Sequence, residues 1–227
     1  MLFSAILTMI RGGSVDLGSV IAQILSTLFI IVFILPLHEC AHGWMAVKLG
    51  DMTPKYDKRI TLNPLASIDP MGALCLLLFG YGWAKPVQVN ANGFKNPKRD
   101  MALVALAGPF SNIVVALIAL VLYNAISLIP VIAALYVALF FYYVAIINVS
   151  LAVFNLIPIP PLDGSRLLTA LLPYKYYNML MRYERYIFLG LLALLWVGVL
   201  DIPLDFLSGA VMTFLEFIAG LPFGFIR

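Results

Sequence analysis

"MALVALAGPFSNIVVALIALVLYNAISLIPVIAALYVALFFYYVAIINVSLAVFNLIPIPPL", residues 101–162, runs from Asp100 to Asp163 without one charged side chain. At about 1.5 Å per residue a single helix of that length would reach roughly 90 Å, three times a hydrocarbon core of about 30 Å. The segment must fold back on itself, and Ser127 and Pro130 in "NAISLIPV" (124–131) mark the corner. Two spans follow, over about 101–126 and 131–156. Bulk composition agrees: of 227 residues 63% are hydrophobic and 11% charged, against about 45–50% and 25% in a soluble domain. This is the composition of a membrane protein.

Working outward, Leu17–Leu37 is a charge-free run of span length whose pattern continues to about Leu49. Met71–Phe79 is apolar but too short to cross, the size of a re-entrant half-helix. Tyr186–Leu200 and Phe206–Ile226, separated by "DIPLD", complete the set. The N-terminal "MLFSAILTMIRGG" has no basic leader and too short an apolar run to span, so a partly embedded strand or short helix is expected there. "WAKPVQVNA" alternates Val87 and Val89 with polar residues, a strand pattern. The expected fold is an all-α polytopic membrane protein of about five to six transmembrane helices. It carries a re-entrant segment and a small membrane-associated β-sheet on the cytoplasmic side. One domain is expected over 1–227, with its core at about 17–170 and C-terminal helices at 186–226.

If the spans alternate, basic residues fall on one side: Lys48, Lys55, Lys58, Arg59, Lys85, Lys95, Lys98, Arg99, Arg166, Lys175, Arg182, Arg185 and Arg227. The positive-inside rule places that side in the cytoplasm. Cys40 and Cys75 both sit in apolar surroundings, so a disulfide framework is not expected. No loop is long enough for a nucleotide-binding or peptide-binding domain, and no nucleic-acid partner is expected.

Both histidines of the chain lie in "HECAHGW", 38–44. Four residues advance about 400° on an α-helix, so His38 and His42 share a face. Two imidazoles so placed can bind one tetrahedral metal, and Glu39 is set to accept a proton from an attacking water, the H-E-x-x-H pattern of zinc hydrolases. The bland alternative is a pair of histidines hydrogen-bonded to neighbouring helices. Against it stands the expense of placing three ionisable groups beside a membrane span. Cys40 points about 200° away from His38 and reads as packing.

A catalytic zinc takes three protein ligands, and with no histidine left the third should be a carboxylate. Asp51, Asp57, Asp100 and Glu184 sit among basic residues and read as solvated charges, while Asp16, Asp201 and Asp205 fall on the opposite side. Glu216 in the last span, Asp69 before Pro70 and Asp163 after "NLIPIPP" remain. Prolines hold the chain before Asp163 extended, which can aim a side chain from irregular backbone, and geometry favours it. Its alternative is an N-cap for the "GSRLL" helix.

"HECAH" on an apolar helix, "GPFSN" (108–112) and "NLIPIPPLDG" (155–164), with "LNPLASIDPMG" (62–72) and "GWAKPVQVN" (82–90), resemble the site-2 protease family of intramembrane zinc metalloproteases. The match covers most of residues 36–166 in family order and lacks the inserted domain of larger relatives. The resemblance implies one Zn2+ per chain held by His38, His42 and Asp163, with Glu39 as the acid–base residue. It further implies Asn155 as an oxyanion or substrate-orienting amide, the equal alternative being an interhelical polar contact, with Asn112 in a supporting role. Ser67 stands where relatives often carry His, and Gln88 where they commonly carry Pro.

The function expected is hydrolysis of peptide bonds in transmembrane protein substrates within the bilayer. The site would lie nearer the cytoplasmic face of a prokaryotic inner membrane, with an adaptor protein as a further partner. The segment Val87, Gln88 and Val89 would pair with an extended stretch of substrate. The rival is a metal-binding membrane protein without protease activity, a transporter or scaffold. A transporter needs a chain of ligands along a path, and the spans offer none.

Overall fold

A computed structural model describes residues 16–79, 82–171 and 179–224. The N-terminal segment, Lys175 and Arg227 lie outside these described residues. The first helix, α1 (Leu17–Phe29), starts at Asp16, whose carboxylate accepts the Ser19 N–H at 2.8 Å. A π-helical turn over Ile30–Ile34 joins it to α2 (Leu35–Leu49). The cause is Pro36: it has no N–H for the carbonyl one turn back, and the widened turn accommodates its ring. Gly50, at φ 116°, ends α2 in the left-handed region that glycine occupies without steric penalty.

Short helices α3 (Thr53–Tyr56) and α4 (Pro64–Ser67) lead to α5 (Pro70–Phe79). Asp69 opens α5 by accepting the N–H groups of Met71 and Gly72, the turn-forming role its place before Pro70 suggests. Ten residues make about 15 Å, half a membrane. An antiparallel bridge between Ile68 and Ala84 closes the base of this segment.

Helices α6 (Pro97–Ser127) and α7 (Ile132–Asn155) are the two halves of the charge-free run, broken at the Ser127–Pro130 corner. Then come α8 (Gly164–Leu171), α9 (Glu184–Val197) and α10 (Asp201–Gly220). Among the described residues four helices are long and apolar enough to cross a membrane: Leu17–Leu49, Pro97–Ser127, Ile132–Asn155 and Asp201–Phe223. The span expected at 186–200 is a helix of 14 residues, about 21 Å long.

The core lies between α1, α2, α6 and α7, around Ile30, Leu76, Leu120, Val144, Ile147 and Leu151. On α6 the outward stripe Leu103, Leu106, Phe110, Val114, Ile118 and Leu122 is exposed, an apolar face suited to lipid. Ser26 ties α1 to α7 through a hydrogen bond from its hydroxyl to the Phe140 carbonyl at 2.9 Å. Glu216 stays on the surface of α10. Both cysteines are free.

Two expectations are corrected here. Asp51 and Asp100 are not solvated: they are 2% and 1% exposed. Asp51 accepts the N–H groups of Thr53 and Asn90, at 2.9 and 2.7 Å. Asp100 accepts the Asn96 N–H at 3.0 Å and pairs with Arg99 at 2.9 Å. Of the expected β-sheet, the described residues show the isolated Ile68–Ala84 bridge and no strand. Around Val87–Val89 the pairing groups are used elsewhere: Pro86 has no N–H, Arg59 binds the carbonyls of Lys85 and Pro86, and Val87 donates to a side chain of α2.

Candidate active site

His38 and His42 face α6 from one side of α2, and both are buried. Their Nε2 atoms lie 3.0 Å apart. Asp163, from the irregular stretch between α7 and α8, brings Oδ2 to 3.1 Å from each. Its carbonyl accepts the Arg166 N–H at 2.9 Å at the start of α8. Burial opposes the charge of Asp163, but the His42 ring and the hydrogen bonds from both imidazoles outweigh it and hold the carboxyl below the usual carboxylate range.

Three groups that could ligate one cation thus converge. Tetrahedral zinc ligands at about 2.0–2.1 Å from the metal stand about 3.3 Å apart, close to the 3.0–3.1 Å triangle seen here. His42 Nδ1 donates to the Val104 carbonyl at 2.7 Å, so once Nε2 gives up its proton the neutral ring is held in the tautomer that presents a lone pair there. Nitrogen and carboxylate donors of this kind suit zinc, so the residues present fit it and can hold it.

The fourth wall is Gly108. A Cβ there would lie 2.5 Å from His38 Nε2 and 2.6 Å from its Cε1, and would also press on His42 Nε2. The glycine leaves room for the ligand atoms. Pro109 follows inside α6, where it removes a ladder hydrogen bond.

Glu39 is 7% exposed and points to the segment after the re-entrant hairpin, where its Oε2 accepts the Val87 N–H at 2.9 Å. Val87 is buried, Gln88 exposed and Val89 half-buried. Asn112, one turn beyond Gly108, is 1% exposed, and neither its Nδ2 nor its Oδ1 has a partner. Asn155 is half-buried and its amide donates to its own helix at Leu151 O, 3.0 Å. Asn112 is buried with no partner at either polar atom, whereas Asn155 uses one of its two amide N–H groups on its own helix. Asp69 and Glu216 stand outside the cluster, which contains His38, His42 and Asp163 alone.

Two histidines buried on an apolar helix, met by Asp163 from a separate irregular stretch and with a glutamate beside the first histidine, form the arrangement of a membrane zinc hydrolase. Residues 124–198 match the description "Peptidase family M50". The chain is 40% identical over 163 residues to "Putative zinc metalloprotease YwhC" of Bacillus subtilis (strain 168), covering 70% of this chain and 74% of that protein. It is 33% identical over 133 residues to "Putative zinc metalloprotease Rip2" of Mycolicibacterium smegmatis (strain ATCC 700084 / mc(2)155), covering 56% of this chain and 50% of that one. No solved structure matches. The chain belongs to peptidase family M50, the site-2 protease family, and is a zinc metalloprotease of the membrane.

Proposed function

We propose that the chain cleaves transmembrane protein substrates within the bilayer, with His38, His42 and Asp163 holding the metal and Glu39 moving the proton. The observation that carries this reading is the convergence of three ligand atoms within hydrogen-bond distance of one another beside a buried glutamate. Zinc, when bound, supplies a Lewis acid for the scissile carbonyl and lowers the pKa of water towards about 7.

The chain's own residues do the rest. Glu39 accepts a proton from the attacking water at its carboxylate and returns it to the leaving amine nitrogen. His42 keeps its Nε2 lone pair turned inward through Val104. Asn112 offers its amide to the substrate carbonyl or backbone, since it makes no hydrogen bond of its own. Asn155 can serve the same end with its second amide N–H, the first being given to Leu151. Gln88, exposed on the segment beside Glu39, offers its main-chain N–H and C=O to an extended stretch of substrate, flanked by Val87 and Val89. A substrate helix must unwind first, because its carbonyls are otherwise occupied.

The basic side is assigned to the cytoplasm, and the site lies near it. Val104 and Gly108 come 7 and 11 residues after Pro97, about 10–16 Å from the Lys98–Arg99 end of α6. The test is cleavage of a single-span substrate in liposomes by wild type and Glu39→Gln at matched zinc content. Loss of cleavage in the variant alone is expected; equal cleavage by both would remove Glu39 from the role.

A further inference from the structure

The segment 84–90 lies along α2 as a strap, attached at several points. Lys85 N–H donates to the Ser67 carbonyl at 2.8 Å, beside the Ile68–Ala84 bridge. The Arg59 guanidinium gathers the carbonyls of Ala66, Lys85 and Pro86, so one cation links the chain before α5 to the strap after it. At the far end buried Asp51, just past the end of α2, accepts the Asn90 N–H at 2.7 Å. Between these anchors the Val87 N–H donates to Glu39 Oε2. The Val87 side chain packs over Gly43, where a Cβ would stand 3.8 Å from Val87 Cγ1 and 3.3 Å from Ile60 Cγ1. Helix α2 therefore grips the strap through two carboxylates, Glu39 at the site and Asp51 at its end.

We propose that this strap positions Glu39: the Val87 main-chain N–H fixes the carboxylate by one oxygen and leaves the other to face the reacting water, while Asp51 and Arg59 hold the N–H in place. The inference rests on the proton-transfer role given to Glu39 above. A glutamate on an apolar helix has three rotatable side-chain bonds, and a carboxylate aimed by packing alone would sample several rotamers. A charge-assisted bond from a fixed backbone amide selects one of them. The same bond occupies the Val87 N–H, so substrate pairing is left to the outer edge of the strap, where Gln88 is exposed. Val87, Asp51 and Arg59 are positioning residues, acting through Glu39 without touching substrate atoms in that role.

The experiment compares steady-state cleavage, zinc content and amide exchange in the detergent-purified full chain. Replacing the Val87 amide by an ester, through an α-hydroxy acid at 87, deletes the N–H and little else. It should lower kcat about tenfold to hundredfold, the size of one hydrogen bond to a charged group, with KM and zinc content unchanged. Val87→Pro should fall with the ester, while Val87→Ala, which keeps the N–H, loses far less. Asp51→Ala should lower kcat in the same manner, and Asp51→Asn, which keeps a carbonyl acceptor for Asn90, should restore part of it. Protection of the Val87 amide against exchange should survive Glu39→Gln and vanish in Glu39→Ala. An ester variant with wild-type kcat, beside an inactive Glu39→Gln, overturns the positioning role and leaves the proton-transfer role intact. Val87→Ala falling as far as Val87→Pro would also overturn it, assigning the effect to side-chain packing. Full cleavage by Glu39→Gln overturns both readings.

Discussion

Gly108→Ala adds one methyl group at the most crowded point of the site. Carbon keeps about 3.5 Å from a non-bonded heavy atom. The new Cβ would stand 2.5 Å from His38 Nε2 and 2.6 Å from Cε1, so about 1 Å of displacement must be found. If the imidazole moves, that distance is about five times the ±0.2 Å within which zinc ligands are held. If α6 moves instead, the 2.7 Å bond from His42 Nδ1 to Val104 is lost, and partners of this kind are worth about tenfold to hundredfold in metal affinity. Overpacking adds about 1–3 kcal/mol of destabilisation. The expected result is zinc affinity weakened at least tenfold to hundredfold, measured by competition with a chromophoric chelator, with helical content retained in far-UV circular dichroism. Gly209→Ala is the control, because a Cβ there meets nothing within 4 Å, and its zinc affinity should match wild type. A Gly108→Ala protein that binds zinc as wild type does would refute the tight contact between α6 and the histidine pair.

Further outcomes follow from the same geometry. Asp163→Asn removes the only charged member of the ligand cluster and should weaken zinc binding by at least about tenfold in the same titration. Ser26→Ala deletes the α1–α7 hydrogen bond to Phe140 and should lower stability in detergent by about 0.6–1.7 kcal/mol, read from a denaturation midpoint. Asp100→Ala leaves the Asn96 N–H without its acceptor and should cost about 1 kcal/mol, as loss of a helix cap does, with zinc affinity unchanged.

The sequence made the spans legible because hydropathy and length are local properties. An uncharged run of two membrane thicknesses has to turn, and Ser127 to Pro130 is where it does. The histidine pair was legible for the same reason: helical periodicity alone puts His38 and His42 on one face. Asp51 and Asp100 misled because their neighbours in sequence are basic, whereas their burial depends on main-chain N–H groups of Asn90, Thr53 and Asn96 brought to them by folding. The alternation of Val87 and Val89 correctly gave one buried and one exposed direction. It could not say that the partner edge would be a glutamate and an arginine in place of a second strand.

Placing ionisable groups at membrane depth is costly unless each is answered, and this site answers most of them with backbone that is not regular helix or strand. Val87 N–H for Glu39 comes from the strap, and Asp163 comes from the proline-rich turn. The Val104 carbonyl that receives His42 lies in helix, one turn before the Pro109 interruption. Among the described buried side chains, the groups left over are His38 Nδ1, both polar atoms of Asn112 and the Asn148 carbonyl oxygen. An unmet buried amide costs about 1–3 kcal/mol, so a side chain such as Asn112 gains most from whatever brings it a partner. A substrate backbone, unwound beside Gly108, carries the carbonyl and N–H that would do so. Under the proposed reading, part of the free energy for opening a substrate helix comes from satisfying Asn112.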